Sequence, residues 1–301
     1  MALDFKARVA IVTGAGGGLG RQHALALAAR GAKVVVNDLG GDVHGAGGSV
    51  SAAQAVVDEI RARGGEAIVN GASVTDFDAV QKMVQQAMDT WGRVDIVVSN
   101  AGILRDKSFA KMELADFRQV LDVHLMGAVH CCKAVWPHMT AQKYGRIVLT
   151  SSSSGLYGNF GQTNYGAAKL ALVGLMQTLA LEGAKHDIRV NCLAPTAATR
   201  MTQDLFPPDM LQAFGPEAVV PAMLVLASQD APTRTTLCAG AGAFEAAHIT
   251  LTHGVYVGTG PDADEQLAAR LSQVLDRAQE TVPGGGNAQG ENELRLARAG
   301  H

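Results

Sequence analysis

Three observations predict a doubly wound α/β fold, a parallel sheet with helices on both faces in α/β/α layers. Short β-branched runs alternate with longer helical stretches, a glycine-rich turn joins the first run to the first stretch, and no linker interrupts the alternation before residue 260. In order, the strand candidates are Val9–Val12, Lys33–Asn37, Ala67–Asn70, Asp95–Ser99, Arg146–Thr150 and Arg189–Cys192. Between them, 19–30, 49–63, 76–90, 116–140 and 165–184 carry Ala, Leu and Gln at helical spacing. Two segments depart from this rhythm. Gly40 to Ser49 is too rich in glycine for a regular element and lengthens the loop after the second strand. From Thr259 the chain turns polar, with a charged helix candidate at 262–280, then Pro283 and three glycines, and 282–301 reads as a mobile tail. The expected layout is one α/β domain over 1–260, followed by a C-terminal helix and tail over 261–301.

Composition narrows the class. Of 301 residues, 48% are hydrophobic, 18% are charged and 35 are glycine, which excludes a disordered, collagenous or coiled-coil chain. The length suffices for a substantial core. Lys and Arg number 25 against 28 Asp and Glu, so the net charge of −3 provides no bulk positive field for nucleic acid or an acidic membrane. The longest apolar runs, such as Ala218–Ala227, are about ten residues, too short to cross a bilayer. Cys131, Cys132, Cys192 and Cys238 have no CxxC spacing and read as reduced thiols. The histidines form no ligand motif, so no metal is expected. A soluble cytoplasmic protein is the resulting expectation.

Thr13-Gly14-Ala15-Gly16-Gly17-Gly18-Leu19-Gly20 follows the first strand and opens the first helix. Glycines permit the tight turn, and a helix N-terminus offers unpaired N–H groups to a pyrophosphate. This context predicts a Rossmann-type dinucleotide site built on Gly14, Gly18, Leu19 and Gly20. Asp38 ends the second strand, where a carboxylate would accept ribose hydroxyls and repel a 2′-phosphate, so NAD is the expected cofactor.

Tyr165 is followed four residues later by Lys169, which puts phenol and ammonium on one helix face. A fixed cation there is expected to lower the phenol towards working pH and fit it for general acid–base work. Ser151 to Ser154 stand at the end of the fifth strand, on the carboxyl edge where open α/β sheets bind ligands, and position alone does not choose among them.

Taken together, the glycine turn, Asn100-Ala101-Gly102 after the fourth strand, Ser152, and Tyr165 with Lys169 resemble the short-chain dehydrogenases/reductases over about 1–255. The resemblance selects Ser152 and implies hydride transfer, with Tyr165 handling the proton, Ser152 holding the substrate oxygen and Lys169 binding the nicotinamide ribose. It also implies that Asn100, Ala101, Gly102, Pro195 and Thr199 contact the cofactor side. Longer strings, Val36–Gly41, Asn100–Asp106 and Gly155–Tyr165, resemble the dehydrogenase units of peroxisomal multifunctional enzymes of type 2, which implies a (3R)-hydroxyacyl-CoA as substrate. A 17β-hydroxysteroid or a 3-oxoacyl carrier-protein thioester is the alternative, and a non-catalytic nucleotide-binding regulator is the reading outside enzymes. The chain ends Ala299-Gly300-His301 without an SKL-type address, so a stand-alone enzyme is expected.

Departures from the family pattern are specific. His124 stands where most members carry the asparagine of a catalytic tetrad, and its imidazole would serve a water relay sensitive to pH near neutrality. Ala72 or Ser73 replaces an aspartate near the adenine, Pro195-Thr196 replaces Pro-Gly, and the resemblance fades through 229–258. An apolar lid is expected over Met201–Gly215, with Leu205, Phe206, Met210, Leu211 and Phe214 covering an acyl chain or steroid. Arg105, Lys107 and Lys111 are candidates for CoA phosphates. The apolar helices 116–140 and 165–184 imply a homodimer or homotetramer.

Overall fold

Alternation along each strand sorts its side chains into two layers. In β1 (Val9–Thr13), Ala10 and Val12 face one side, Val9 and Ile11 the other. The same division runs through β2 (Lys33–Asn37), where Val34 and Val36 oppose Val35, and β4 (Ile96–Ser99), where Ile96 and Val98 oppose Val97. Both faces are therefore apolar, as a parallel sheet buried on both sides requires. The first layer is covered by α1 (Gly18–Ala28), α2 (Ser51–Ala62) and, later in the chain, 220–227; the second by α3 (Phe77–Trp91) and by the helices of 127–142 and 163–183.

The computed structural model describes residues 3–41, 47–198 and 208–299. They form two compact units that divide after Ala247. In the first, β3 (Glu66–Asn70) precedes α3, and α4 (Leu114–Leu121) runs through a π-helical turn at Asp122–Met126 into α5 (Gly127–Gln142). Then come β5 (Gly145–Thr150), α6 (Ser153–Tyr157), α7 (Thr163–Gly183), β6 (Ile188–Pro195), α8 (Pro208–Ala213), α9 (Val220–Ala227), β7 (Thr236–Gly240) and β8 (Ala243–Ala247). The eight strands lie in the order β3-β2-β1-β4-β5-β6-β7-β8, parallel except for β8. Strand order reverses between β1 and β4, the switch point at which such sheets bind ligands.

All six expected strands are present, with ends displaced by at most a few residues. β7 and β8 were not expected. Apart from Thr236 their sequence lacks β-branched residues, and the hairpin is set by Ala241 and Gly242 at φ 49° and 77°. The segment 116–140 is helical as expected, but the π turn offsets its faces at His124. With its 3₁₀ extension, α7 reaches the length and apolarity of a bilayer span, which the count of consecutive apolar residues overlooked. Leu172, Val173 and Met176 nevertheless bury it against the sheet as a core helix.

The second unit contains α10 (Ala263–Ala269), α11 (Leu271–Val274) and α12 (Asn287–Ala299). Thus the charged stretch at 262–280 breaks at Arg270, and most of the expected tail is helical because Asn287–Ala299 carries good helix formers after the glycines. A bridge between Leu251 and Thr281, and the Thr252 hydroxyl donating to the Val274 carbonyl at 2.8 Å, hold this unit together. None of its described residues is buried.

Candidate active site

Gly14, at φ 63°, turns the chain out of β1, and a Cβ there would stand 2.8 Å from the Ala101 Cα. A Cβ at Gly20 would overlap the Gly14 carbonyl, so this glycine lets the helix approach the turn. No side chain caps the start of α1, whose residue before the first turn is Gly17. Its first N–H groups are thereby left to an anion. A cavity of about 480 Å³ opens there, lined by Gly14, Gly18, Leu19, Asp38 and Asn100 to Ile103. The uncapped helix and the adjoining carboxylate fit the diphosphate and ribose of a dinucleotide.

The Asp38 carboxylate is fixed from two sides, accepting the Gly16 N–H at 2.8 Å and the Gly40 N–H at 2.7 Å. Each oxygen keeps a lone pair for a ribose hydroxyl. Asn100 ties the switch point together. Its Nδ2 donates to the Thr13 and Gly14 carbonyls at 3.0 and 3.2 Å, while the Asn100 and Ala101 N–H groups donate to the Thr13 hydroxyl at 3.0 and 3.1 Å. Ala72 and Ser73 also line the cavity.

Ser152 caps α6 through its hydroxyl, which accepts the Ser154 N–H at 3.2 Å and neighbours the Tyr165 phenol. The neighbouring Ser151 turns inward to donate to the Lys169 carbonyl at 2.9 Å, and so helps seat α7. Lys169 is buried, its Nζ donating to the Thr150 carbonyl at 2.6 Å and standing 5.4 Å from the centre of the Tyr165 ring. Ser152, Tyr165 and Lys169 are thus brought together on the carboxyl edge of the sheet.

Their electrostatics correct the sequence-based expectation. Burial pushes the Tyr165 phenol up to about 12; the Ser152 hydroxyl opposes this and the Asp106 charge adds to it. Burial also lowers Lys169 to about 7, so the ammonium that was to acidify the phenol is itself only partly charged near neutrality. The phenol is therefore protonated near neutrality.

His124 is buried within the π turn, edge-on to Tyr165 with ring centres 5.1 Å apart. Its Nε2 lies 3.1 Å from the Ile103 nitrogen and 2.8 Å from the Ile103 oxygen, and serves one of them according to tautomer. Burial and the Lys169 charge hold the imidazole well below its ordinary range. It stays neutral near pH 7, so the expected sensitivity to pH near neutrality does not arise from this ring.

Pro195 ends β6, and the Thr196 N–H donates to the Ala239 carbonyl at 2.8 Å. Thr199, Leu205 and Phe206 lie outside the described residues, as does the Met210 side chain. The base of the expected lid is closed by the Ala198 N–H donating to the Phe214 carbonyl at 2.6 Å. The expected CoA-facing cations are engaged elsewhere: Arg105 and Lys107 stand 3.7 and 3.2 Å from the Asp116 carboxylate. Apolar side chains overlooked by the sequence reading, Phe109, Leu114, Tyr157 and Phe160, are exposed at 109–114 and 157–160. Scattered over a 3₁₀ turn, the ends of α4 and α6 and a loop, they gave no periodic signal.

A short chain dehydrogenase family model matches residues 8–209. The putative short-chain type dehydrogenase/reductase Rv0148 of Mycobacterium tuberculosis is 48% identical over 92% of this chain and 97% of its own length. The peroxisomal multifunctional enzyme type 2 of Mus musculus is 53% identical over 76% of this chain, which spans only 31% of that protein. Among solved structures, full-length peroxisomal multifunctional enzyme type 2 from Drosophila melanogaster superposes with a TM-score of 0.81 at 36% identity, over 98% of this chain and 50% of that one. With its glycine turn, serine, tyrosine and lysine assembled on a Rossmann-type sheet, the chain belongs to the short-chain dehydrogenase/reductase family of oxidoreductases acting on CH–OH groups.

Proposed function

We propose that the protein is an NAD-dependent dehydrogenase that interconverts a (3R)-hydroxyacyl-CoA and its 3-ketoacyl-CoA. The observation that carries the chemistry is the Tyr165 phenol beside Ser152 and a buried Lys169, at the end of the sheet where the nucleotide cavity opens. NAD, when bound, would supply the hydride acceptor for alcohol oxidation, and NADH the hydride donor for ketone reduction. For ketone reduction Ser152 donates to the carbonyl oxygen while Tyr165, protonated as it stands, delivers the proton to that oxygen. For alcohol oxidation the phenol must first be ionised, and the Ser152 hydroxyl and the Lys169 ammonium are the groups that stabilise the phenolate. Asp38 supports NAD over NADP because its fixed carboxylate repels a 2′-phosphate.

The thioester substrate is supported by similarity to the multifunctional enzymes of type 2 over 76% of this chain. The exposed Phe109, Leu114, Tyr157 and Phe160 suit an acyl chain, and a steroid equally. Purified protein assayed with NAD and NADP against a (3R)-hydroxyacyl-CoA and a 17β-hydroxysteroid tests the reading. Turnover of the thioester with NAD is expected, and turnover of the steroid alone would overturn the substrate assignment. Tyr165→Phe should abolish turnover and leave NAD binding intact; an unchanged rate would remove the proton-transfer role and leave a nucleotide-binding regulator.

Self-association belongs to the same proposal. Ala167, Leu170, Gly174, Thr178 and Leu181 form an exposed, uncharged stripe along α7, with Leu170 and Leu181 46% and 53% exposed. Such a stripe suits a second copy. Light scattering should give a dimer or tetramer at micromolar concentration. The free cysteines fit a reducing, cytoplasmic compartment, which imaging of the tagged full chain would test.

A further inference from the structure

Hydrogen bonds join the first turn of α7 to the loop that leaves β4. Asn164 is fully buried; its Nδ2 donates to the Arg105 carbonyl at 3.0 Å and its Oδ1 accepts the Tyr165 N–H at 2.8 Å. Gln162 donates through Nε2 to the Asp106 carboxylate at 2.6 Å, and the Lys107 N–H donates to the Gly161 carbonyl at 2.9 Å. A helix often satisfies its first N–H groups with the side chain of the residue before the first turn. In α7 that residue is Gln162, which makes no such cap because its amide is turned across the junction. The Tyr165 N–H is among the donors left over, and Asn164, inside the first turn, takes it. One amide therefore caps the helix that carries the phenol and anchors it to the opposite segment.

The β4 loop is braced at its other end. Asn100 bonds it to the turn after β1, and His124 holds the Ile103 backbone, so residues 100–103 line the nucleotide cavity from a fixed segment. The Tyr165 ring packs against Ile103, Val120 and Ala168. Such apolar packing is not directional, whereas an amide hydrogen-bonded at both ends is. We propose that Asn164 is a positioning residue for proton transfer, tying the Tyr165 backbone to the cofactor-side loop and so fixing where the phenol stands relative to the nucleotide cavity. The proposal rests on the reading of Tyr165 as the proton-transfer group. A proton donor must meet the carbonyl oxygen while hydride meets the adjoining carbon, and a displacement of about 1 Å costs on the order of a hundredfold in rate.

Asn164→Ser keeps a hydroxyl that can accept the Tyr165 N–H but is too short to reach Arg105, so it cuts the tie and leaves the cap. Hydrogen–deuterium exchange needs neither cofactor nor turnover. It should rise by about fivefold or more at 101–107 and at 161–167 together, with 172–180 unchanged. With NADH and 3-ketodecanoyl-CoA, kcat should fall by at least about tenfold, while the KM for the thioester and the fluorescence Kd for NADH change by less than about threefold. An asparagine that served stability alone would lower the urea midpoint and leave kcat per bound NADH as in the parent. Gln162→Leu removes the neighbouring, less buried tie and keeps the test open if Asn164→Ser does not fold. It should show the same pattern with a loss in kcat of at least about threefold. Exchange that rises at 161–167 alone, or a parent-like kcat in a folded variant, would overturn the proposal. A parent protein that reduces no ketone defeats the functional reading alone, because the exchange experiment stands without it.

Discussion

His124 occupies the space that a side chain at residue 102 would need. A Cβ built on Gly102 would overlap the His124 Cε1 and stand 3.0 Å from its Nδ1. The ring in turn latches onto the Ile103 backbone and packs edge-on to Tyr165. Gly102 lines the nucleotide cavity, so one imidazole joins the cofactor side to the phenol. Gly102→Ala should therefore displace the ring and lower kcat/KM by at least about tenfold, equivalent to roughly 1.4 kcal/mol. Adding His124→Ala should restore NADH affinity to the Gly102→Ala protein, because the obstacle is gone. A double variant that binds no better than Gly102→Ala would exclude this steric coupling.

The core fold was legible because the signals that specify it are local and repeated. Val34, Val35 and Val36 announce a strand buried on both faces, and Gly14 to Gly20 announce the helix start that receives a diphosphate. Tyr165 and Lys169 could be paired from helical spacing alone. Burial could not be read in the same way. The expectation for the phenol assumed a charged neighbour in a polar setting, whereas desolvation governs both groups. The β7–β8 hairpin was hidden because its glycine and alanine residues pair through backbone rather than through a patterned side-chain face. Gln162 and Asp106 lie 56 residues apart, so only the folded chain reveals their contact.

Arg146 and Asp187 show how unequally the two partners of an ion pair can matter. The guanidinium is fully buried and donates to the Ser228, Gly145, Asp187 and Gln229 carbonyls at 2.7–2.9 Å, besides lying 4.2 Å from the Tyr144 ring centre. The Asp187 side chain is 38% exposed and 3.1 Å from Arg146 Nη2. Removing the buried cation leaves those carbonyls without donors. Arg146→Met should destabilise the protein by roughly 3–5 kcal/mol, against under about 1 kcal/mol for Asp187→Asn. Urea midpoints compared at constant m-value would check the order, and equal losses would contradict it.

The segment after Ala247 is a second case in which geometry sets a limit. No described residue of 248–299 is buried, and Leu267, Leu271 and Leu275 remain 44%, 49% and 66% exposed. Ordering each residue costs about 1–2 kcal/mol, which hydrogen bonds among exposed groups do not offset. A peptide comprising 248–301 should therefore show an unfolded far-ultraviolet spectrum. A cooperative melt of that peptide would refute the point.

His23 should make stability depend on pH in a definite direction. The ring is completely buried in α1, neither nitrogen has a hydrogen-bond partner among the described residues, and burial lowers its pKa from 6.5 to about 4. Between these values the unfolded chain binds a proton that the folded chain refuses, so stability is full above pH 6.5 and declines as pH falls towards 4. The loss attributable to this residue is at most roughly 3 kcal/mol. His23→Leu removes the proton site and the two unsatisfied nitrogens, and its volume suits the apolar layer formed by Ala24 and Leu27. The variant should unfold at higher urea than the parent protein at neutral pH, and the advantage should widen at pH 5. Two proteins with parallel stability curves between pH 4 and 6.5 would mean that the buried imidazole has found a partner for its proton after all.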